Sequence, residues 1–270
     1  MSGLSWNPQQ AISPGVVASS VGPSLALFDT QLYAAWKGGG GDEQIWYSHL
    51  DGSSWAQPRV ILPGIESVIA PSSVGPSLAT LVTEGGPLYA AWKGGGDDER
   101  IWYSRFTGFD GIGGLTWAPP QAILPGTVAS SARPSLAAFN GRFYAAWKGG
   151  GSDERIWWSS FDVEPVTEDR APSWAPQQVI LPGTVASSVG PSLAAFNGRL
   201  YAAWKGGGSD ERIWWSSFDG SSWAPQQVIL PGTVASSVGP SLAAFNGRLY
   251  AAWKGGGSDE TIWWSVAVLS

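Results

Sequence analysis

One unit of sequence occurs five times in this chain of 270 residues. Its fourth copy spans Leu200–Ser216 and contains a central tryptophan, then Lys-Gly-Gly-Gly, two carboxylates and a pair of indoles. The central tryptophans of the five copies are Trp36, Trp92, Trp147, Trp204 and Trp253. The last interval between them is 49 residues, and the earlier ones are 56, 55 and 57 because of short insertions. A repeat of this period indicates one structural unit used five times, so function has to be sought at the level of that unit.

Each unit contains four short apolar runs that are rich in aromatic and β-branched residues. In the fourth copy they are Pro191–Phe196, Arg199–Trp204, Arg212–Phe218 and Trp223–Leu230. Asn-Gly, Gly-Gly-Gly and Asp-Gly separate them, as is typical of turns between strands, and Asn197-Gly198 predicts a two-residue hairpin. The second run is apolar on both faces, which predicts a sheet packed on both sides. No stretch has a helical period, so we predict an all-β chain whose units are propeller blades.

The two ends of the chain carry complementary parts of one unit. Ser5–Ile12 matches the fourth run of the fourth copy, Ser222–Ile229, whereas the chain ends after a third run at Thr261–Ser265. An N-terminal strand that completes the last blade would remove the free edges of an open array. We therefore predict one domain, a five-bladed β-propeller with four antiparallel strands per blade, its ring closed by that strand. The blades are expected at 20–62, 74–124, 130–181, 187–230, and 236–270 plus 2–12.

Composition narrows the classes of partner. A net charge of −6 and a pI near 4.7 argue against nucleic acid, which is usually bound by a basic face. No apolar run approaches the roughly 18 residues of a membrane span, so no membrane insertion is expected. The N-terminus lacks a basic region and an apolar core, which predicts a cytoplasmic protein or one released without a signal peptide. The chain has no cysteine, which excludes thiolate metal sites. We expect a monomer without a cofactor.

The glycine-rich loop is the candidate site. In a propeller it shares one face with the blade-to-blade connections such as Pro231–Gly239, and the Asn-Gly turns lie on the other face. Its lysine donates, its carboxylates accept, and flanking indoles offer flat apolar surfaces, which together suit a sugar. The expected carbohydrate-binding residues are Trp36, Lys37, Asp42, Glu43, Trp46, Trp92, Lys93, Asp98, Glu99, Trp102, Trp147, Lys148, Asp153, Glu154, Trp157, Trp204, Lys205, Asp210, Glu211, Trp214, Trp253, Lys254, Asp259, Glu260 and Trp263. Glycine runs are also often plain turns.

The paired aromatic residues point to opposite faces of their blade because they are neighbours on one strand. The first of the pair is tryptophan in every copy, whereas the second is Tyr47 or Tyr103 in the first two copies and tryptophan in the others. Most of them are expected to pack between blades, with one per blade lining a cleft. The residue before the pair's isoleucine varies and is therefore not needed in every copy: it is Gln44, Arg100, Arg155, Arg212 and Thr261.

Two resemblances follow from these motifs. The turn Ser217–Trp223 resembles the Asp-box of sialidase-type propellers, although Gly220 follows Asp219 directly. The five near-identical blades resemble five-bladed lectins of the tachylectin-2 type. In that family each gap between blades holds an N-acetylated sugar, which implies up to five equivalent sites here. The resemblance therefore predicts a multivalent lectin for cell-surface or glycoprotein glycans.

Three other functions fit these residues less well. Glycosidases place different carboxylates around one central site, whereas every blade here offers the same Asp-Glu, so the chain is not expected to be an enzyme. Calcium prefers oxygen ligands, but the usual spaced acidic pattern is missing and Lys205 would oppose the ion. A non-catalytic protein-interaction scaffold, or an idealised repeat propeller without a ligand, remains the alternative.

Overall fold

The computed structural model describes residues 12, 15, 17–61, 71–81, 86–109, 115–162 and 173–267. These residues form strands and turns without a helix, in five antiparallel sheets arranged as a five-bladed β-propeller. The predicted fold class is confirmed. The predicted closure of the ring by residues 2–12 lies outside the described residues, except for Ile12. The described part of the chain holds no helix long and apolar enough to cross a membrane.

Each blade is one sheet. Blade 1 contains β1 (Ser24–Phe28), β2 (Gln31–Lys37), β3 (Ile45–Asp51), β4 (Ser54–Trp55) and β5 (Arg59–Val60). Blade 2 contains β6 (Ser77–Thr80), β7 (Leu88–Lys93), β8 (Ile101–Phe109), β9 (Leu115–Trp117) and β10 (Gln121–Ala122). Blade 3 contains β11 (Ser135–Phe139), β12 (Arg142–Lys148), β13 (Ile156–Asp162) and β14 (Gln178–Val179). Blade 4 contains β15 (Ser192–Phe196), β16 (Arg199–Lys205), β17 (Ile213–Phe218) and β18 (Gln227–Val228). Blade 5 contains β19 (Ser241–Phe245), β20 (Arg248–Lys254) and β21 (Ile262–Val266).

Turn chemistry sets the first three strands of a blade. Asn197 and Gly198 have φ of 46° and 69°, so the predicted hairpin between β15 and β16 is confirmed.

The fourth strand of the blade is shorter than predicted. Of the run Trp223–Leu230, only β18 and a single bridge from Trp223 to Phe218 pair with β17. Pro225 lies between them and has no N–H to donate, which accounts for the interruption.

The core consists of layers between consecutive blades. Leu200, Ala202 and Trp204 of β16 are fully buried and pack against Phe139 and Tyr144 of blade 3. Corresponding clusters lie between blades 1 and 2, 2 and 3, and 4 and 5. The prediction of a sheet packed on both sides is therefore confirmed.

Hydrogen bonds between blades repeat as regularly as the sequence does. Leu193 N donates to Ser135 Oγ over 2.9 Å and links the innermost strands of blades 3 and 4. On the loop face, Ser187 N of the connecting segment donates to the carbonyl oxygen of Glu154 over 2.7 Å. The glycine-rich loop and the connection thus lie on the same face, as predicted. The same pairs recur at the other three junctions between consecutive blades.

Candidate functional site

The lysine of each glycine-rich loop points into the protein. Lys205 is 6% exposed, and its Nζ donates to Ser188 Oγ over 3.0 Å and to the carbonyl oxygens of Gly206, Gly208 and Asp210. The serine belongs to the segment that enters the blade, so the ammonium group ties that segment to the loop. The same lysine-to-serine bond occurs in all five blades, at 2.8–3.1 Å. These acceptors offset the cost of burying the charge, so the lysine can hold the loop against the entering segment.

The aspartate of each loop fixes one indole. Asp210 Oδ2 accepts from Trp214 Nε1 over 2.8 Å, and Oδ1 accepts from the backbone N–H of Arg212 over 3.0 Å. The bond from indole to aspartate is present in every blade. We call its donors the rim tryptophans: Trp46, Trp102, Trp157, Trp214 and Trp263. In blades 2–4 the rim tryptophan packs partly against the core cluster shared with the preceding blade and remains partly exposed.

Each glycine of the loop is required for a different physical reason. A Cβ on Gly206 would collide with the Asp210 carboxylate, and one on Gly207 would collide with Glu154 of blade 3. Gly208 has φ of 52°, a conformation that favours glycine. A run of three glycines would also let a ligand approach the backbone closely. The structure shows that the first two admit carboxylates of the protein itself.

The glutamate bridges two blades. Glu154 Oε1 of blade 3 accepts from Gly208 N of blade 4 over 2.9 Å, and equivalent bonds run from Gly151 to Glu99 and from Gly257 to Glu211. The site is therefore formed by two consecutive blades, with the glutamate from one and the rim tryptophan from the next.

An arginine covers the rim tryptophan in blades 2–4. Arg212 Cζ lies 4.6 Å from the centre of the Trp214 ring, and its Nε and Nη2 donate to the two Asp210 oxygens over 2.8 and 3.0 Å. The Arg212 side-chain bonds outweigh partial burial and lower the pKa of Asp210 to about 2. Arg100 and Arg155 form the same arrangement. The residue at this position varies among the copies, so the sequence analysis did not include it in the candidate site. An arginine two residues after the aspartate could nevertheless have been recognised as a partner of that carboxylate.

Blades 1 and 5 have no arginine at this position. In blade 1, the Asp42 carboxylate accepts only from Gln44 N and Trp46 Nε1 among the described residues. An ionised carboxylate offers about four acceptor positions, so two remain free there, whereas Asp210 uses all four. A cavity of about 180 Å³ adjoins Trp46, Asp42 and Gly39. Asp259 of blade 5 accepts from Thr261 N and Trp263 Nε1, and bonds to the Thr261 side chain and to Trp263 lower its pKa.

The structure separates the predicted site residues by accessibility. The central tryptophans Trp36, Trp92, Trp147, Trp204 and Trp253 are 0–6% exposed and belong to the core. The rim tryptophans, the aspartates and the glutamates are partly or fully exposed in the row of five loops. The sequence did not indicate which member of the indole pair lines a gap; the spacing of four residues from aspartate to rim tryptophan was the available signal. Direct contact of any of these side chains with a sugar stays a prediction.

Among the described residues, no group of three or more histidine or acidic side chains could hold a metal ion.

The sequence analysis missed the serines that bind the lysines: Ser20, Ser73, Ser131, Ser188 and Ser237. Their constant presence in each connecting segment could have suggested a partner for the constant lysine.

No protein-family model and no curated protein sequence matches the chain. Solved structures share its fold. A xylan β-1,4-xylosidase from Bacillus halodurans is 16% identical, with a TM-score of 0.54, over 93% of this chain and 52% of that chain. An exo-β-1,3-galactanase from Phanerochaete chrysosporium with β-1,3-galactotriose is 12% identical, with a TM-score of 0.58, over 89% and 57%. The Aleuria aurantia lectin with Fucα1-6GlcNAc is 14% identical, with a TM-score of 0.59, over 88% and 74%.

These similarities correct one expectation. The chain was expected not to be an enzyme because every blade offers the same two carboxylates. That exclusion is wrong, since a galactanase and a xylosidase share the fold. The chain spans little more than half the length of either enzyme. At such low identity the similarity shows a fold that is common to lectins and glycoside hydrolases.

Proposed function

We propose that the loop face binds carbohydrate, with one shallow site beside each rim tryptophan and up to five sites per chain. The observation that carries the proposal is the repeated rim indole. Its Nε1–H is held by an aspartate in all five blades, which fixes the ring, and the ring itself remains partly accessible. A fixed aromatic face beside carboxylate oxygens suits a sugar, whose C–H face packs on the ring while its hydroxyls bond to the oxygens.

The predicted site residues take two roles in this proposal. The rim tryptophans, aspartates and glutamates contact the ligand, and the lysines and central tryptophans support the loop from below. Blades 1 and 5 bind most strongly, because Asp42 has two free acceptor positions and Asp259 has one, and because no arginine among the described residues lies on either rim tryptophan. In blades 2–4 the sugar has to displace the guanidinium group or bond to it.

Several equivalent sites compensate for the weak affinity of each single site. Several sites on one rigid face raise avidity by about 10²–10⁴ when they engage a dense glycan together. The resemblance to tachylectin-2-type lectins extends the proposal to N-acetylated sugars on cell surfaces or glycoproteins. A glycan array therefore tests N-acetylated and fucosylated structures side by side, and the best ligand is then titrated by calorimetry. The same mixture is analysed for released sugars, because the fold also occurs in glycosidases.

A fivefold variant tests the site itself. Replacing all five rim tryptophans by leucine removes the aromatic faces, and we expect agglutination and array binding to disappear. The matched control is W158Y/W215Y/W264Y, which changes the second indole of the pair to the tyrosine that blades 1 and 2 already have. We expect the control to bind as the parent does. A fivefold variant that folds and still binds would contradict the proposal, and a blank array would favour a scaffold without a sugar ligand.

A further inference from the structure

Arg133 interrupts the repetition of the blades at one position. The other four blades have glycine there, namely Gly22, Gly75, Gly190 and Gly239. In every blade this position lies two residues before the innermost strand begins, at the end of the strand that faces the glycine-rich loops. One blade therefore carries a cation at a place where the others carry no side chain.

The equivalent positions lie close together where the innermost strands of consecutive blades meet. A Cβ on Gly75 of blade 2 would lie 2.8 Å from the carbonyl oxygen of Gly22 in blade 1, and one on Gly190 of blade 4 would collide with the carbonyl oxygen of Arg133. The same Cβ on Gly75 would lie 3.7 Å from Arg133 Nη1. The guanidinium group of blade 3 thus reaches back to blade 2 near the axis of the propeller, beside a residue without a side chain.

The guanidinium group has no partner among the described residues. None of its N–H groups donates a hydrogen bond there, and no carboxylate of that part of the chain pairs with it. By contrast, Arg100, Arg155 and Arg212 each form an ion pair with an aspartate. Burial lowers the pKa of Arg133, and no acidic group counteracts this shift. Arg133 is therefore a largely desolvated cation whose charge is uncompensated.

A cation in this state is suited to receive an anion. A guanidinium group presents planar, paired donors that match a carboxylate, phosphate or sulfate, and such bonds are stronger away from bulk water. Ser135, two residues further along, adds a hydroxyl group. Its Oγ accepts from Leu193 N over 2.9 Å, and its hydrogen has no acceptor among the described residues. The net charge of −6 repels anions elsewhere, so binding has to depend on local donors.

We propose that Arg133 forms an anion-binding site at the axis of the loop face, which takes the carboxylate, sulfate or phosphate group of one ligand per chain. The rim sites are repeated in the blades, whereas this site occurs once. It would select ligands by an acidic group, independently of a sugar ring. The inference does not depend on sugar binding at the rim tryptophans.

Titration followed by NMR tests the site. Arg133→Gly introduces the residue of the other four blades, none of which needs a positive φ there, and the Nε–H resonance that it removes identifies Arg133. Inorganic phosphate and glucuronate are added to the parent protein, with glucose as the neutral control. We expect the Arg133 resonance to shift and saturate with an anion but not with glucose, and Arg133→Gly to bind that anion about 10–100-fold more weakly.

The two anions distinguish the sources of the acidic group. Tighter binding of glucuronate would assign the site to an acidic sugar, and tighter binding of phosphate would assign it to a phosphorylated or free inorganic ligand. Either result supports the site. An Arg133 resonance that stays in place with both anions, or equal affinity in Arg133→Gly, would overturn the proposal.

A matched control removes the same charge elsewhere. Arg199→Gln changes an exposed arginine on the opposite face to the residue that blade 1 has, Gln31. We expect this variant to bind anions as the parent does. If both variants lost affinity equally, net charge alone would explain the binding, and the site would be refuted.

Thermal stability separates an anion site from a structural role. An uncompensated cation destabilises the fold, so Arg133→Gly should melt no lower than the parent in anion-free buffer. The anion that binds should raise the melting temperature of the parent and leave that of Arg133→Gly unchanged. A lower melting temperature of Arg133→Gly without anions would show that Arg133 is paired within the protein, contrary to the proposal.

Discussion

The identical segments Ala175–Glu211 and Ala224–Glu260 contain the first two strands of blades 4 and 5, yet the two blades present different surfaces. The first difference after the identical stretch is Arg212 against Thr261. The arginine covers one rim tryptophan and saturates its aspartate, whereas Thr261 leaves the Trp263 ring uncovered and bonds to Asp259 through its backbone N–H and its side chain. One residue beside a constant loop can therefore change how accessible the loop's carboxylate and the adjacent indole are.

The same comparison shows how far burial depends on neighbours. Ile213 is fully buried, whereas its equivalent Ile262 is 69% exposed. The two residues occupy the same position on their strands. Ile213 packs against blade 5, through Ala251 and Trp253, and nothing among the described residues covers Ile262 in the same way. An identical local sequence thus gives the same backbone but not the same environment.

The largest expected effect tests whether the shared sequence packs equally in both blades. Trp204→Ala removes a fully buried ring and should cost about 3–5 kcal/mol of unfolding free energy. Trp253→Ala should cost a similar amount, because Trp253 is also in an inter-blade core cluster. Urea denaturation monitored by circular dichroism measures both. A much smaller loss for Trp253→Ala would show that blade 5 is not packed as blade 4 is.

The second-largest loss of stability is expected when the buried lysine is replaced. Lys205→Met removes the donor to the carbonyl oxygens of Gly208 and Asp210, whereas the carbonyl oxygen of Gly206 keeps Ser188 Oγ as a donor. We therefore expect a loss of about 1–3 kcal/mol of unfolding free energy. Lys254→Met should cost less, since Lys254 is less buried and, among the described residues, bonds only to Ser237 Oγ and the carbonyl oxygen of Asp259. Equal losses in denaturation experiments would contradict this ranking.

Exchanging the arginine alters the titration of the aspartate. Because its pKa is depressed, ionised Asp210 stabilises the fold fully above pH 3.8, and this stabilisation is lost as the pH falls through about 2. In Arg212→Thr we expect the pKa to rise toward 3.8, so the loss begins at a higher pH. The carboxyl carbon of Asp210, followed by NMR between pH 1.5 and 6, reports the pKa directly. An unchanged titration would remove the arginine as its cause.

The smallest expected effect concerns the sugar itself. Arg212→Thr uncovers Trp214 and should strengthen binding at that site by about 2–5-fold, the factor expected from an exposed cation–π contact. Thr261→Arg should weaken the site of blade 5 by a similar factor. Calorimetry in a background where the other four rim tryptophans are leucine isolates each site. Weaker binding in Arg212→Thr would show that the arginine contacts the sugar.

Local chemistry explains which features the sequence could predict. Asn197-Gly198 specified its hairpin because few residue pairs tolerate left-handed backbone, and the apolar second strand specified a doubly packed sheet. Pro225 lies within the fourth run, and its effect on pairing was overlooked.

Contacts between blades were the part that sequence could not supply. Gly207 has to be glycine because Glu154 approaches from the preceding blade, and no local pattern contains that partner. The lysine was expected to face a ligand, but the serine it binds is 17 residues away in the entering segment. When the partner of a residue lies far away in the sequence, the role of that residue becomes evident only in the folded propeller.

The central claim is that the rim tryptophans form the sugar sites. Their Nε1–H groups give indole resonances that can be assigned by single substitutions and followed while the best glycan from the array is titrated. We predict that the resonances of Trp46, Trp102, Trp157, Trp214 and Trp263 shift, with Trp46 and Trp263 saturating first, and that the buried Trp204 does not shift. Shifts confined to other tryptophans, or a glycan that binds without moving any rim resonance, would contradict the account.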